Sequence, residues 1–505
     1  MNSIGSLNLR CNTLWQLGTS RLPFGPRALG NAQGIFPSSS SNRKFRCQHQ
    51  SERGLTSDLY PRLSRQQVSY YLRYHEYSSS DLFDGAIKNF VTNKLAANNP
   101  IEDRSAEIQL NLKADEMTGQ YLFGIFDGHA GCACAQVLTE RLFSYIGVML
   151  SSIDTLEDIR HQKIDPCNDL IYRFTRKDHY LSSDMADMYR TSLQKLANEL
   201  ITAPNDDCTV EDILKAAFMR LDHDILADAY PADGRLNLNL ETLSLALSGS
   251  CATVAYLDGT QLFVANSGDC KAVIGHQVDE DTWKPIAVST DHTAENKGEV
   301  TRLNNQHPHQ ADKILKNGRL LGDLAPLRAF GDARYKWPAR VMKHILNVTN
   351  PNMISIYGKD LIPQNYISPP YLTAEPEVVC HSLTPRDKFM ILATDGLWEH
   401  LTEQQVVDLI AGHMEEKSTL THFTLPRESG INLKEVNEIL KVRKRKLAKK
   451  PEDENVATHL LRMALGPNHN TLSQYLTLPE RLVRSYRDDI TITVVFFDTE
   501  YVASK

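Results

Sequence analysis

Asp127-Gly128-His129 ends an uninterrupted apolar run, Tyr121 to Phe126, and Asp395-Gly396 ends a second, Phe389 to Thr394. Asp488-Asp489 stands at the mouth of a third strand-like run, Ile490 to Phe497. Short apolar runs bounded in this way read as buried strands, so each delivers a carboxylate to its open end. Carboxylates are hard oxygen donors. If the three ends converge they form a site for Mg2+ or Mn2+, ions that keep several waters and need only one or two carboxylates each. If Asp127 bridges two such ions, the Gly128 carbonyl can fill a further position, since no side chain blocks approach, while Asp395 and Asp488 hold the second ion. Water between two divalent ions ionises near neutral pH and can attack phosphorus in line with the leaving oxygen. His129 beside the bridge is placed to protonate the departing alkoxide as a general acid. No cysteine nucleophile is required by this chemistry, and none is set in a phosphate-cradling loop.

Further acids are weaker signals. Glu102 and Asp103 precede a strand expected at about 105–112, and taken alone they read as a solvated turn. Ser267-Gly268-Asp269 interrupts a strand pattern that resumes at Ala272, so Asp269 reads equally as a turn residue or an outer metal ligand. Asp258-Gly259, between two β-patterned runs, is by contrast a hairpin turn. Arg328, close to Asp332 in a glycine-rich loop, is expected to anchor that loop on an acid rather than to bind phosphate.

The elements that position these residues follow from periodicity. Apolar residues at Ala135, Leu138, Leu142, Tyr145, Ile146 and Met149 mark one face of a helix, and Ile213, Leu214, Ala217, Phe218, Leu221 and Ile225 mark another over about 211–227. The polar stretch between them, 151–210, reads as a partly helical covering layer. Thr402 and Gln405 form a capping box for a helix carrying Val406, Leu409 and Ile410. Residues 60–93 show no strong period and read as a lead-in that packs on the domain. Residues 417–455 read as a basic insert. Its second half carries Leu433, Val436, Leu440 and Leu447 on one side of a helix and the run Lys441, Arg443, Lys444, Arg445, Lys446, Lys449 and Lys450 around the rest, either a solvated face or a docking surface for an acidic partner.

The first acid in the chain is Glu52, and residues 1–50 are rich in arginine and serine, the composition of a mitochondrial transit peptide. The expected layout is therefore a transit segment over 1–55, one catalytic domain over 56–499 and a tail over 500–505. A net charge of −7 weighs against nucleic-acid binding, which favours a basic excess. No run of about 18 apolar residues supports a membrane span. The nine cysteines are scattered and odd in number, as suits a reducing compartment.

FDGHAG, GSCATVAYLDG, ANSGDCKAVIG, RAFGD, LATDGLW and RDDITITVV, in that order, resemble the metal-dependent type 2C Ser/Thr protein phosphatases over about residues 95–497. NNPIEDR, PLRAFGD with YKW, PPYLTAEPEV, ATHLLRMALG and YRDDITI resemble, more narrowly, the mitochondrial branch that acts on the pyruvate dehydrogenase complex. The resemblance implies an α+β fold, a four-layer α-β-β-α sandwich of two antiparallel sheets flanked by helices. It also implies a two-metal centre with Asp127, Gly128, Asp395 and Asp488 as direct ligands and Glu102 and Asp103 acting through water. A third ion would use Asp269. The implied substrate is phosphoserine on the decarboxylating component of the complex, the implied docking partner the lipoyl domain of its core, and the implied location the mitochondrial matrix. The residues leave open whether Ca2+ strengthens docking and whether a regulatory subunit binds. They also leave a broader mitochondrial specificity open, whereas a scaffold without activity would have no need of Asp127, His129, Asp395 and Asp488 together. This chain departs from the family pattern at Asn98, where many members carry an arginine for the substrate phosphate, at Glu399, at Lys271 and at Cys251, the last expected to matter little.

Overall fold

The computed structural model describes residues 62–79, 85–112, 119–175, 183–202, 208–230, 239–348, 361–418, 433–447 and 451–505. The expected transit segment and much of the expected basic insert lie outside the described residues. The strands are β1 (Tyr77–Ser79), β2 (Ile87–Leu95), β3 (Arg104–Leu110), β4 (Gln120–His129), β5 (Ile171–Arg173), β6 (Gly249–Asp258), β7 (Gln261–Ser267), β8 (Lys271–Gln277), β9 (Trp283–Ala287), the short β10 (Leu315–Lys316), β11 (Arg319–Leu320) and β12 (Phe330–Gly331), then β13 (Glu377–Ser382), β14 (Asp387–Ala393) and β15 (Ile490–Phe497). They form a six-stranded sheet, β1-β2-β15-β14-β8-β9, and a seven-stranded sheet, β13-β7-β6-β4-β3-β5 with β12 added beside β6. The pairings within both sheets are antiparallel.

Alternation of side chains builds the layers. Along β4, Tyr121, Phe123 and Ile125 face the gap between the sheets, where they meet Phe90, Leu257, Val264, Leu392 and Val495. Leu122 and Phe126 face the other way, onto the helices Ala133–Leu150 and Val210–Ala229. The six-stranded sheet does the same with Phe389, Ile391, Ile492 and Val494, which pack on the helices Arg65–Arg73, Glu403–Ser418 and Val456–Ala464. The outcome is the expected α-β-β-α sandwich.

Several local expectations hold. The Thr402–Gln405 capping box is present, and Arg328 anchors its loop on Glu299. The β6–β7 hairpin closes with Gly259 and Thr260 as its two loop residues, one position later than the Asp258-Gly259 pair, because Asp258 still pairs with Gln261. Others need correction. The helix Ala133–Leu150 is buried on every side rather than along one stripe, since the helix Ser183–Thr202 and the helix Val210–Ala229 cover the face away from the sheet. The stretch without clear period contains β2, whose polar Asn93 is satisfied in the core by the Leu72 carbonyl and Thr458. Residues 151–210 supply an edge strand, β5, as well as covering helices.

Beside the sandwich, Leu303, Ile314, Leu320, Leu327 and Tyr371 form a small core of their own. Arg328 pins this lobe: its Nη2 and Nε reach Glu299 at 2.6 and 3.0 Å, and its Nη1 donates to the Glu375 carbonyl at 2.7 Å. Burial alone would raise the Glu299 carboxyl, yet the hydrogen bonds from Arg328 and Arg302 outweigh it and hold the group at about 2 instead of 4.5. A depressed carboxylate contributes stability that is complete above its unfolded value and is lost as pH falls from about 4.5 towards 2. Arg328→Ala should therefore cost on the order of 3 kcal/mol at neutral pH and move acid unfolding, followed by circular dichroism, to higher pH. An unchanged acid midpoint would show that the pair contributes nothing.

Candidate metal centre

The alternation that builds the core also places the acids. Continuing β4 past Ile125 on the inter-sheet face brings Asp127 and then His129. The strand does not stop at Phe126 as the apolar run suggested, because β6 pairs with it as far as Gly249 opposite His129. On β15 the residues facing the gap include Val495 and Phe497, and the same parity leads back to Asp489. Asp103, one residue before β3, is buried against Thr394, whose Oγ1 donates to it at 2.8 Å. At one end of the sandwich the apolar filling thus gives way to carboxylates from both sheets.

Asp127, Asp269 and Asp395 each bring an oxygen within 4.8 Å of the others, the one such cluster of metal-binding groups among the described residues. Burial, reinforced by Asp395, Asp103, Asp269 and Asp488, pushes the Asp127 carboxyl well above the usual carboxylate range. Burial, with Asp269, Asp488 and Glu399 behind it, pushes Asp395 up to about 8. Carboxylates this close cannot all ionise without a compensating cation. A donor set made only of oxygen, with room for water, fits a hard divalent ion such as Mg2+ or Mn2+.

The two Asp-Gly pairs share one structural reason. A Cβ on Gly128 would overlap the carbonyl oxygen of Glu102, and a Cβ on Gly396 would overlap that of Asp489. Each glycine therefore lets the segment bearing one acid pack directly on the backbone of another acid. Glu102 is fixed further by the Gly131 N–H, which donates to its Oε1 at 2.6 Å. Asp489 is not a ligand candidate in this arrangement. Its carboxylate accepts the backbone N–H groups of Ala97, Asn98 and Glu102 and the side-chain amide of Asn98. Asp488 points outward and meets Arg484 at 2.9 Å. It lies outside the tight cluster, although its charge acts on Asp127, Asp269 and Asp395.

Asp332, to which the sequence reading gave no role of its own, completes the site. His129 Nε2 lies 2.6 Å from Asp332 Oδ2. Burial disfavours a charged imidazole, but Asp332 overcomes this and the histidine is raised above its ordinary value. Asp332 adopts a left-handed backbone, φ 52 and ψ 42, which aspartate tolerates better than most residues, and a Cβ on Gly249 would collide with both members of the pair. Cys251, expected to matter little, donates its thiol to Asp269 at 3.1 Å. Lys271 is occupied by Asp291 and Glu403, each at 3.1 Å. The signal that could have found Asp332 is its glycine-bounded position in RAFGD. Asp489 gave none beyond its adjacency to Asp488.

Comparison with known proteins shows what the chain as a whole is similar to. A family model described as protein phosphatase 2C matches residues 146–427, more than half of the chain. The chain is 41% identical over 466 residues to mitochondrial pyruvate dehydrogenase (acetyl-transferring) phosphatase 1 of Bos taurus, covering 88% of this chain and 84% of the relative. It is 37% identical to the corresponding phosphatase 2 of Homo sapiens, covering 88% and 86%. It is 29% identical to the phosphatase 1 of Saccharomyces cerevisiae, covering 80% and 68%.

Asp395→Asn removes one of the mutually repelling carboxyls. Without metal the variant should melt no lower than the wild type. Mn2+ at a hundredfold excess over its Kd should stabilise the wild type by about 2.7 kcal/mol and the variant far less, as read by thermal unfolding. An equal gain in both proteins would take Asp395 out of the metal site.

Proposed function

The chain belongs to the protein phosphatase 2C family, and from that premise we propose that it hydrolyses phosphoserine on the decarboxylating component of the pyruvate dehydrogenase complex in the mitochondrial matrix. The observation that carries the chemistry is the cluster of Asp127, Asp269 and Asp395, half-buried side by side with their carboxyls pushed up by burial and by one another. The substrate rests on relatives whose names specify it and that match over most of the chain.

In this reading Asp127, Asp395, Asp488 and the Gly128 carbonyl hold two divalent ions, Asp269 belongs to the same cluster, and Glu102 and Asp103 act from one layer further out. Divalent ions held there would supply an activated water and offset the charge of the phosphoryl group. The chain does the rest. Asp489 fixes the 97–102 loop and with it Glu102. Asp332 holds one nitrogen of His129 and favours its charged form, so the imidazole keeps a proton for the leaving serine oxygen. Asp332→Asn should lower the pKa of His129 and shift the alkaline limb of the pH–rate profile about one unit towards acid. A limb that stays in place would remove His129 as the general acid.

The helix Leu433–Leu447, within the basic insert, suits docking. Ile439, Leu440 and Val442 are exposed on it, and its sequence is dense in lysine and arginine. We assign it to an acidic surface of the complex core, the lipoyl domain being the candidate.

Phosphate release by the full chain, with Mg2+ or Mn2+ and then with chelator, on phosphorylated pyruvate dehydrogenase complex, on a phosphopeptide and on an unrelated phosphoprotein tests all three parts. The expected result is metal-dependent release that favours the complex and, when residues 433–447 are deleted, slows on the complex more than on the peptide. Equal rates on every substrate would leave the chemistry and remove the substrate assignment. Equal loss on complex and peptide in the deletion would remove the docking helix.

A further inference from the structure

Even with its acids neutralised by metal, such a site still needs a donor for the outer oxygens of a phosphate monoester dianion. One guanidinium stands in position to be that donor. Arg484 follows the short helix Glu480–Val483, and its Nη2 reaches Asp488 at 2.9 Å, four residues on. Its Nη1 reaches Asn98 Oδ1 and Glu102 Oε2, both at 3.0 Å. Three contacts from two nitrogens fix the plane of the guanidinium at the lip of the cluster. Yet 48% of the side chain remains exposed, against 14% for Glu102 and 33% for Asp488.

The other cations nearby are spent. Lys271 is held between Asp291 and Glu403. Arg487 is buried, with Nη2 donating to the Ala96 carbonyl at 2.6 Å. His129 is engaged by Asp332. Asn98 meanwhile is held from behind, its amide nitrogen donating to Asp489 at 3.0 Å, so its oxygen presents a fixed acceptor to Arg484.

We propose that Arg484 is the residue that receives the substrate's phosphoryl group, presenting its remaining N–H donors to the phosphoryl oxygens while Asn98 and Glu102 hold its plane. A guanidinium offers paired donors that match two oxygens of one phosphate, which an ammonium does not. The cation for which Asn98 has no charge of its own thus arrives from near the C-terminal strand, and Asn98 serves as its positioning residue. This inference rests on the phosphatase reading above.

The test compares wild type, Arg484→Ala, Arg484→Lys and Asn98→Ala. It measures KM and kcat on a phosphopeptide, inhibition by orthophosphate, calorimetric binding of orthophosphate to the Mn2+-loaded protein, and Mn2+-induced thermal stabilisation. Arg484→Ala should raise KM and weaken orthophosphate binding about ten- to a hundredfold, with a smaller change in kcat and full stabilisation by Mn2+. Arg484→Lys should recover part of the loss, and Asn98→Ala should show a lesser form of the same defect. Unchanged KM and orthophosphate affinity in Arg484→Ala would overturn the proposal. Loss of Mn2+ stabilisation in that variant would also overturn it, by making Arg484 a brace for Glu102 and Asp488. A wild type that binds orthophosphate through Arg484 but releases none from a phosphopeptide would instead overturn the phosphatase reading on which the role was built.

Discussion

At the acid-lined end of the sandwich a buried carboxylate ties the two sheets together. Asp489, at the start of β15 in the six-stranded sheet, accepts three backbone N–H groups and one side-chain amide from residues 97–102, which lead into β3 of the seven-stranded sheet. Left unpaired, those donors and that acid would each carry the cost of a desolvated polar group. Paired, they fix the distance between the sheets at the end where the apolar filling stops. Glu102, Gly128 and Gly131 are then positioned through successive contacts from that loop. The centre is therefore a property of the sandwich joint rather than of any one motif.

The same joint explains how so many acids coexist. Apolar pairs such as Phe90 with Phe123 carry the packing between the sheets, and the acids gather only where that packing ends and water has access. What the fold tolerates there is a local concentration of like charge, the arrangement in which carboxyl groups bind cations most strongly. Asp332 turns the same scarcity of positive charge to a second use, since one carboxylate set against a histidine favours the protonated ring. Metal affinity and a charged imidazole thus have a common electrostatic origin.

The sequence revealed those parts of the site whose chemistry is local. Asp127-Gly128 and Asp395-Gly396 followed by helical rather than hairpin patterns marked strand ends, and both prove to be places where glycine is needed for contact with a neighbouring backbone. Arg328 beside a loop read correctly as an anchor because a lone arginine among glycines has few other uses. The partners were invisible for the opposite reason. Asp332 and His129 are separated by 203 residues and Asp489 and Glu102 by 387, and no local period records a pairing of that span. Strand β2 escaped because Asn93, polar yet buried, breaks the apolar pattern by which strands are recognised. The helix Ala133–Leu150 misled because its polar residues, Gln136, Glu140 and Arg141, find partners inside and so mimic a wet face.

Strand β15 follows every other strand in the chain, yet it lies in the interior of its sheet, between β2 and β14. A chain delivered from its N-terminus can complete the seven-stranded sheet early, but until β15 inserts, β2 and β14 each expose an unsatisfied edge and the two halves of the acid cluster remain apart. Insertion pairs segments about 400 residues apart in sequence, the kind of contact that forms late because a long loop must close first. The acid site is consequently completed only by a long-range pairing of strands. A partly folded or truncated chain has no working centre with which to attack phosphoproteins before it reaches its own.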